Sequence, residues 1–168
     1  MSATLSRPGL LSALLRRLSQ ILAAIGGVTL VAIALTTVAS VAGRVLFSSP
    51  IQGDVELVQL ASAVGLSCFL PYTQWQNGNI IVDFFTARAS KRARDRLDAL
   101  GSVTLAGVAL LVAWRTAVGA LSAWDNEETS MLMAIPIWIP YALMTPGLFL
   151  TGLVGLHLGW LRATGTDE

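Results

Sequence analysis

Four long apolar stretches separated by short polar ones set the layout of the chain. Residues 18–43 and 57–82 contain no Asp, Glu, Lys or Arg. Residues 99–114 are also free of them, and the apolar pattern resumes after Arg115 as far as 124. Residues 129–161 are uncharged apart from one imidazole, His157. A helix needs roughly 20 apolar residues to cross the hydrocarbon core of a bilayer. The runs do not alternate apolar with polar positions, so they do not read as strands of a transmembrane barrel. The pattern predicts an all-α integral membrane protein, a single membrane domain over 1–168. Its four transmembrane helices are expected at approximately 18–46, 55–78, 98–124 and 132–161.

The ends of these runs carry further expectations. The first run is much longer than the roughly 7–15 apolar residues of a cleaved signal peptide, so it reads as a permanent helix. A short apolar piece at 10–15 precedes Arg16 and Arg17. Two readings of it are open, a half-turn lying on the membrane surface or a frayed end. The second run closes on Gln74, Trp75, Gln76, Asn77 and Asn79, polar groups expected to face protein or a wet cavity, with Trp75 in an interfacial belt. The fourth contains Pro136, Pro140 and Pro146. Each proline removes a backbone donor, so 131–136 is expected to be irregular, with the straight helix starting near Ile137.

Composition sharpens this picture. Of 168 residues, 54% are hydrophobic and only 12% charged. A soluble domain carries about 25% charged residues, so lipid is the expected solvent. The net charge of +1 provides no field for nucleic acid, and no nucleic-acid partner is expected. What matters is where the charges fall. Arg7, Arg16 and Arg17 precede the first run, and Arg88, Lys91, Arg92, Arg94 and Arg96 lie between the second and third. The first connector holds Asp54 and Glu56, and the third holds Asp125, Glu127 and Glu128, both without Lys or Arg. Cations on alternate connectors satisfy the positive-inside rule with the N- and C-termini cytoplasmic. For the basic connector at 84–97, an interfacial helix and a solvated turn are both open readings.

Two arginines fall outside this scheme. Arg44 follows Arg17 by about 40 Å of helix, enough to reach the far headgroups. Arg115 follows Asp98 by about 26 Å, which leaves it inside the outer part of the bilayer. Snorkelling, pairing with Asp54, Glu56, Asp125 or Glu128, and contact with a partner subunit are the readings open to them. Candidate chemistry is otherwise sparse. No run holds paired carboxylates, so neither a proton relay nor a sodium cage is visible. The lone Cys68 reads as a packing residue, and His157 as interfacial or packing. No cofactor, metal site or catalytic set is expected, and the chain does not read as an enzyme. Small residues at 23–27 and at 101–107 allow close helix contact.

Three segments together carry a family resemblance. The first is Gly43, Arg44, Val45, Leu46 and Phe47, then Pro50, then Glu56. The second is Asn79, Ile80, Ile81, Val82 and Asp83. The third is Glu128 and Thr129, then Ile135, Pro136, Ile137, Trp138, Ile139, Pro140 and Tyr141, then Pro146. In this order and spacing, over nearly the whole chain, they resemble the small permease subunit of tripartite ATP-independent periplasmic (TRAP) transporters. Asn79 stands where that family commonly has His, and Gly53 and Asp54 where it often shows Trp and an acid. The resemblance implies a bacterial inner-membrane importer with three parts. A periplasmic binding protein captures an organic acid, and a large permease subunit moves it with sodium. The small subunit packs on the large subunit's fixed scaffold among membrane lipid. Substrate and sodium sites belong to the large subunit, so none is carried onto this chain.

On this reading the candidate subunit-contact or structural residues are Arg44, Glu56, Gln74, Trp75, Asn79, Asp83, Arg115, Glu128, Pro136, Trp138 and Pro140. Two alternatives stay open. One is the small subunit of a tripartite tricarboxylate transporter. The other is a stand-alone four-helix exporter, although the first helix lacks the carboxylate that such an exporter uses.

Overall fold

The computed structural model describes residues 10–48, 52–76 and 91–164, the side chains of 91–96 and 162–164 excepted. The described residues form four helices: α1 Leu10–Phe47, α2 Asp54–Trp75, α3 Lys91–Asp125 and α4 Trp138–Thr164. All four contain a segment long and apolar enough to cross a membrane. Large apolar side chains such as Val28, Leu35, Val38, Leu111 and Leu121 stand exposed along their outer faces. A soluble bundle would turn such side chains inward; against lipid they need no cover.

The helix boundaries depart from the expected spans at four places. α1 begins at Leu10 rather than 18, so residues 10–15 are neither a separate surface half-turn nor a frayed end. Leu, Ala, Arg and Gln propagate a helix well, and no Gly or Pro interrupts them before Gly26. Ser12 and Leu15 are buried on this added length. α2 stops at Trp75 instead of 78, just before Asn77 and Gly78, residue types that favour a helix end. α3 starts at Lys91, so 91–97 forms its opening turns rather than a separate interfacial helix. Lys, Arg, Ala and Leu are strong helix formers, which explains the extension; residues 84–90 lie outside the described part.

α4 starts at Trp138 rather than 132. The segment before it folds as a tight non-helical turn, with an isolated antiparallel bridge between Thr129 and Pro136. This agrees with the irregular stretch expected at 131–136. Pro140 falls in the first turn of α4, where its missing N–H would have had no partner within the helix.

The helices pack as an open row in the order α1, α2, α4, α3, with only slight contact between α1 and α4. α4 is therefore the most enclosed helix, and α1 and α3 are the edges. Close approach depends on glycine at specific crossings. A Cβ on Gly26 of α1 would stand 2.7 Å from the carbonyl oxygen of Gly65 in α2. Pro71 inside α2 cannot bond the carbonyl of Ser67, and Gly147 of α4 fits against that same carbonyl; a Cβ there would lie 2.5 Å from it. α3 and α4 mesh through Ala99, Ser102 and Ala106 on one side and Gly152, Gly155 and Gly159 on the other. Of the small residues expected to serve this purpose, Gly26, Ser102 and Ala106 do so, whereas Gly101 and Gly107 have no neighbour within 4 Å of a Cβ.

Candidate functional site: the acidic end and the α3 arginine

The row places the C-termini of α1 and α3 beside the N-termini of α2 and α4, and the acidic connectors gather at this end. Arg44, in the last turn of α1, holds its Nη2 3.9 Å from Oδ2 of Asp54, the first residue of α2. The buried Ser40 hydroxyl donates to the same carboxylate, and the Val55 N–H donates to its other oxygen at 2.8 Å. Asp54 is 16% exposed and Arg44 61%, so the hydroxyl and the amide position this carboxylate more firmly than the ion pair does.

Glu56 does not join Arg44. Its carboxylate accepts from the backbone N–H groups of Met131 at 2.9 Å, Leu132 at 3.3 Å and Met133 at 3.0 Å. Three successive amides turned to one point make an anion-binding nest. Glu56 stands three residues after Gly53, the N-cap of α2, where a Glu commonly reaches back to its own helix. Here it reaches across to the segment leading into α4.

Local chain chemistry shapes that nest. The Ser130 N–H donates to the Ile135 carbonyl at 2.9 Å, and the Ile135 N–H donates to the Ser130 hydroxyl at 3.1 Å. Ala134 takes a φ of 50° and closes the turn. Gly53 itself sits at φ 75°, and a Cβ there would run into the Met133 side chain. Glycine is therefore required twice, by backbone angle and by space.

The other candidates divide between the two ends. Glu128 accepts the Ile137 N–H at its carbonyl, 3.0 Å away, and so closes the segment whose far side is Pro136. Trp138 meets Trp124 edge-on, with ring centroids 4.9 Å apart, and ties α4 to the end of α3. Glu128, Pro136 and Trp138 line one shallow cleft with Trp124. Pro140 is buried beside a groove lined by Leu57, Val64 and Leu143. At the opposite end Gln74 is buried, and Trp75 stacks on His157 at 6.2 Å, with His157 hydrogen-bonded to Ser12 at 3.1 Å. Asn79 and Asp83 lie outside the described residues. Arg115 is exposed on α3 and has no ion pair with a described residue.

Sequence reasoning singled out Glu56 as one of several possible partners of Arg44, and of these it is Asp54 that Arg44 meets. The same reasoning missed Ser40 and the amides of 131–133 altogether. Backbone donors carry no residue-type signal, and the long sequence separation hid the pairing. Among the described residues no group of three or more His, Cys, Asp or Glu side chains is placed to hold a metal. The polar groups brought together at the acidic end instead lock helix ends to one another. Comparison with curated proteins and with solved structures finds no match. The family model of the DctQ component of tripartite ATP-independent periplasmic transporters matches residues 33–164, which takes in the C-terminal part of α1, the Glu56 lock and the whole α3–α4 pair. The chain belongs to that family and is a small membrane subunit of a TRAP transporter.

Proposed function

We propose that this chain braces the large permease subunit of a sodium-coupled importer of an organic acid in the bacterial inner membrane. A periplasmic binding protein delivers the acid, and the chain itself carries out no transport step and no catalysis. The observation that carries this reading is the open row of helices. α1 and α3 each leave long apolar faces uncovered, while the polar groups at the acidic end are spent on fixing the row's own shape. Such a plate widens a scaffold in the membrane without needing an ion site of its own. Arg44, Glu56, Glu128, Pro136, Trp138 and Pro140 are structural in this scheme, and Gln74 and Trp75 shape the opposite end.

The test is uptake of radiolabelled organic acids into proteoliposomes under an inward sodium gradient. Large subunit, small chain and binding protein together are expected to accumulate label. The chain with the binding protein alone is expected to give the rate of empty liposomes. Accumulation by the chain without the large subunit would overturn the proposal.

A further inference from the structure

α3 carries two seams that share a seven-residue repeat on opposite sides. One, running through Ala99, Ser102, Ala106 and Ala113, is buried, and α4 covers it at Ala99, Ser102 and Ala106. The other runs through Leu97, Gly101, Thr104, Val108, Leu111 and Arg115, and all six are exposed. Alternating steps of four and three residues are the spacing by which one helix seats along another. Gly101, open to at least 4 Å, leaves room for a close backbone approach.

Arg115 decides what covers this seam. It lies about 15 Å from the nearer end of α3 at Asp125 and about 27 Å from Leu97. Its side chain leaves the backbone tilted toward the helix N-terminus, away from the nearer headgroups. Snorkelling therefore has to work against both depth and direction. A cation so placed calls for a carboxylate at its own depth. A second copy of this chain cannot supply one. Its acids lie at 54, 56, 83, 95, 98, 125, 127, 128, 167 and 168, none within the interior of a span, and a like seam would bring arginine against arginine.

We infer that the open α3 seam seats a membrane-spanning helix of the large permease subunit, and that this helix offers an Asp or Glu to the Arg115 guanidinium. The inference rests on the bracing role proposed above and assigns it a face, a register and a charge.

The test co-expresses the tagged chain with the large permease subunit of its own transporter and measures large subunit recovered per tagged chain in mild detergent. Arg115→Leu is expected to lower recovery about tenfold or more, because it leaves the partner's acid unpaired in the membrane, whereas Arg115→Lys retains most of it. A photo-crosslinking residue in place of Leu111 is expected to capture the large subunit within a turn of a membrane-embedded Asp or Glu. The same residue in place of Val31 on α1 serves as the comparison. Arg115→Glu combined with that acid→Arg is expected to restore recovery. Unchanged recovery with Arg115→Leu, or capture at position 111 of lipid only or of a second copy, would overturn the seam. Should Arg115→Leu lower the chain's own level, the crosslink in the otherwise unaltered chain decides. Failure of the unaltered chain to recover any large subunit would defeat the bracing role itself, a result distinct from loss of the seam alone.

Discussion

Glu56 and Arg44 are both charged residues at helix ends, yet the structure gives them unequal work. Arg44 is largely exposed and faces an aspartate already held by a hydroxyl and an amide. Glu56 is the sole side chain on which the amides of Met131, Leu132 and Met133 converge. Replacing it with Gln keeps the shape but exchanges one acceptor oxygen for an NH2 group that faces N–H donors. Glu56→Gln is therefore expected to lower the melting temperature in detergent by several degrees, and to speed hydrogen exchange at those three amides about tenfold or more. Arg44→Ala is expected to change both much less, since Ser40 still donates to Asp54. Equal effects of the two substitutions would show that the nest contributes no more than a surface pair.

The helices are held by small residues, and the two glycine groups on the α3–α4 pair allow a direct comparison. A Cβ on Gly155 would stand 2.9 Å from the Cβ of Ala106, whereas one on Gly101 would touch nothing. Gly155→Val is expected to cost about 1–3 kcal/mol through overpacking and to broaden the detergent gel-filtration peak. Gly101→Val is expected to leave the isolated chain's stability unchanged or slightly raised, as Gly is a poor helix former. Thermal unfolding of both variants checks this. The same pair shows how far the elements were legible in the sequence. Existence and number of the helices followed from uncharged runs, because the cost of charge in lipid is large. Which face of each helix turns inward did not follow. When both lipid and protein interior are apolar, periodicity loses its contrast, so Gly101 and Gly155 look alike on the page. α1 and α3 run on N-terminally past the expected spans into Arg16, Arg17 and 91–96, because arginine and lysine propagate a helix nearly as well as leucine does. The Glu56 nest was illegible for a different reason, since its donors are backbone groups that any sequence at 131–133 would possess.

The whole molecule joins a neutral plate to two unlike rims. Asp54, Glu56, Asp125, Glu127 and Glu128 occupy one rim. The other holds Arg16, Arg17 and the opening turns of α3, brought beside the end of α4 by the contact of Ser12 with His157. Because α1 and α3 run one way and α2 and α4 the other, the start of α1 and the start of α3 lie on the same side. The positive-inside rule predicts that the cationic rim is the one retained in the cytoplasm during insertion, so the position of one rim fixes that of the other. With Cys68→Ala as background and single cysteines in place of Arg92 and Glu128, a membrane-impermeant maleimide added outside intact spheroplasts is expected to modify position 128 and spare position 92 until the membrane is opened. Arg115 does not disturb this balance, since it lies within a span and not in a connector. Moving the bias should move the plate. Neutralising 91–96 while adding lysines beside Asp125 is expected to reverse the labelling of both positions together or to abolish insertion, because two helices running each way, packed in one row, leave no arrangement in which a single rim turns over alone.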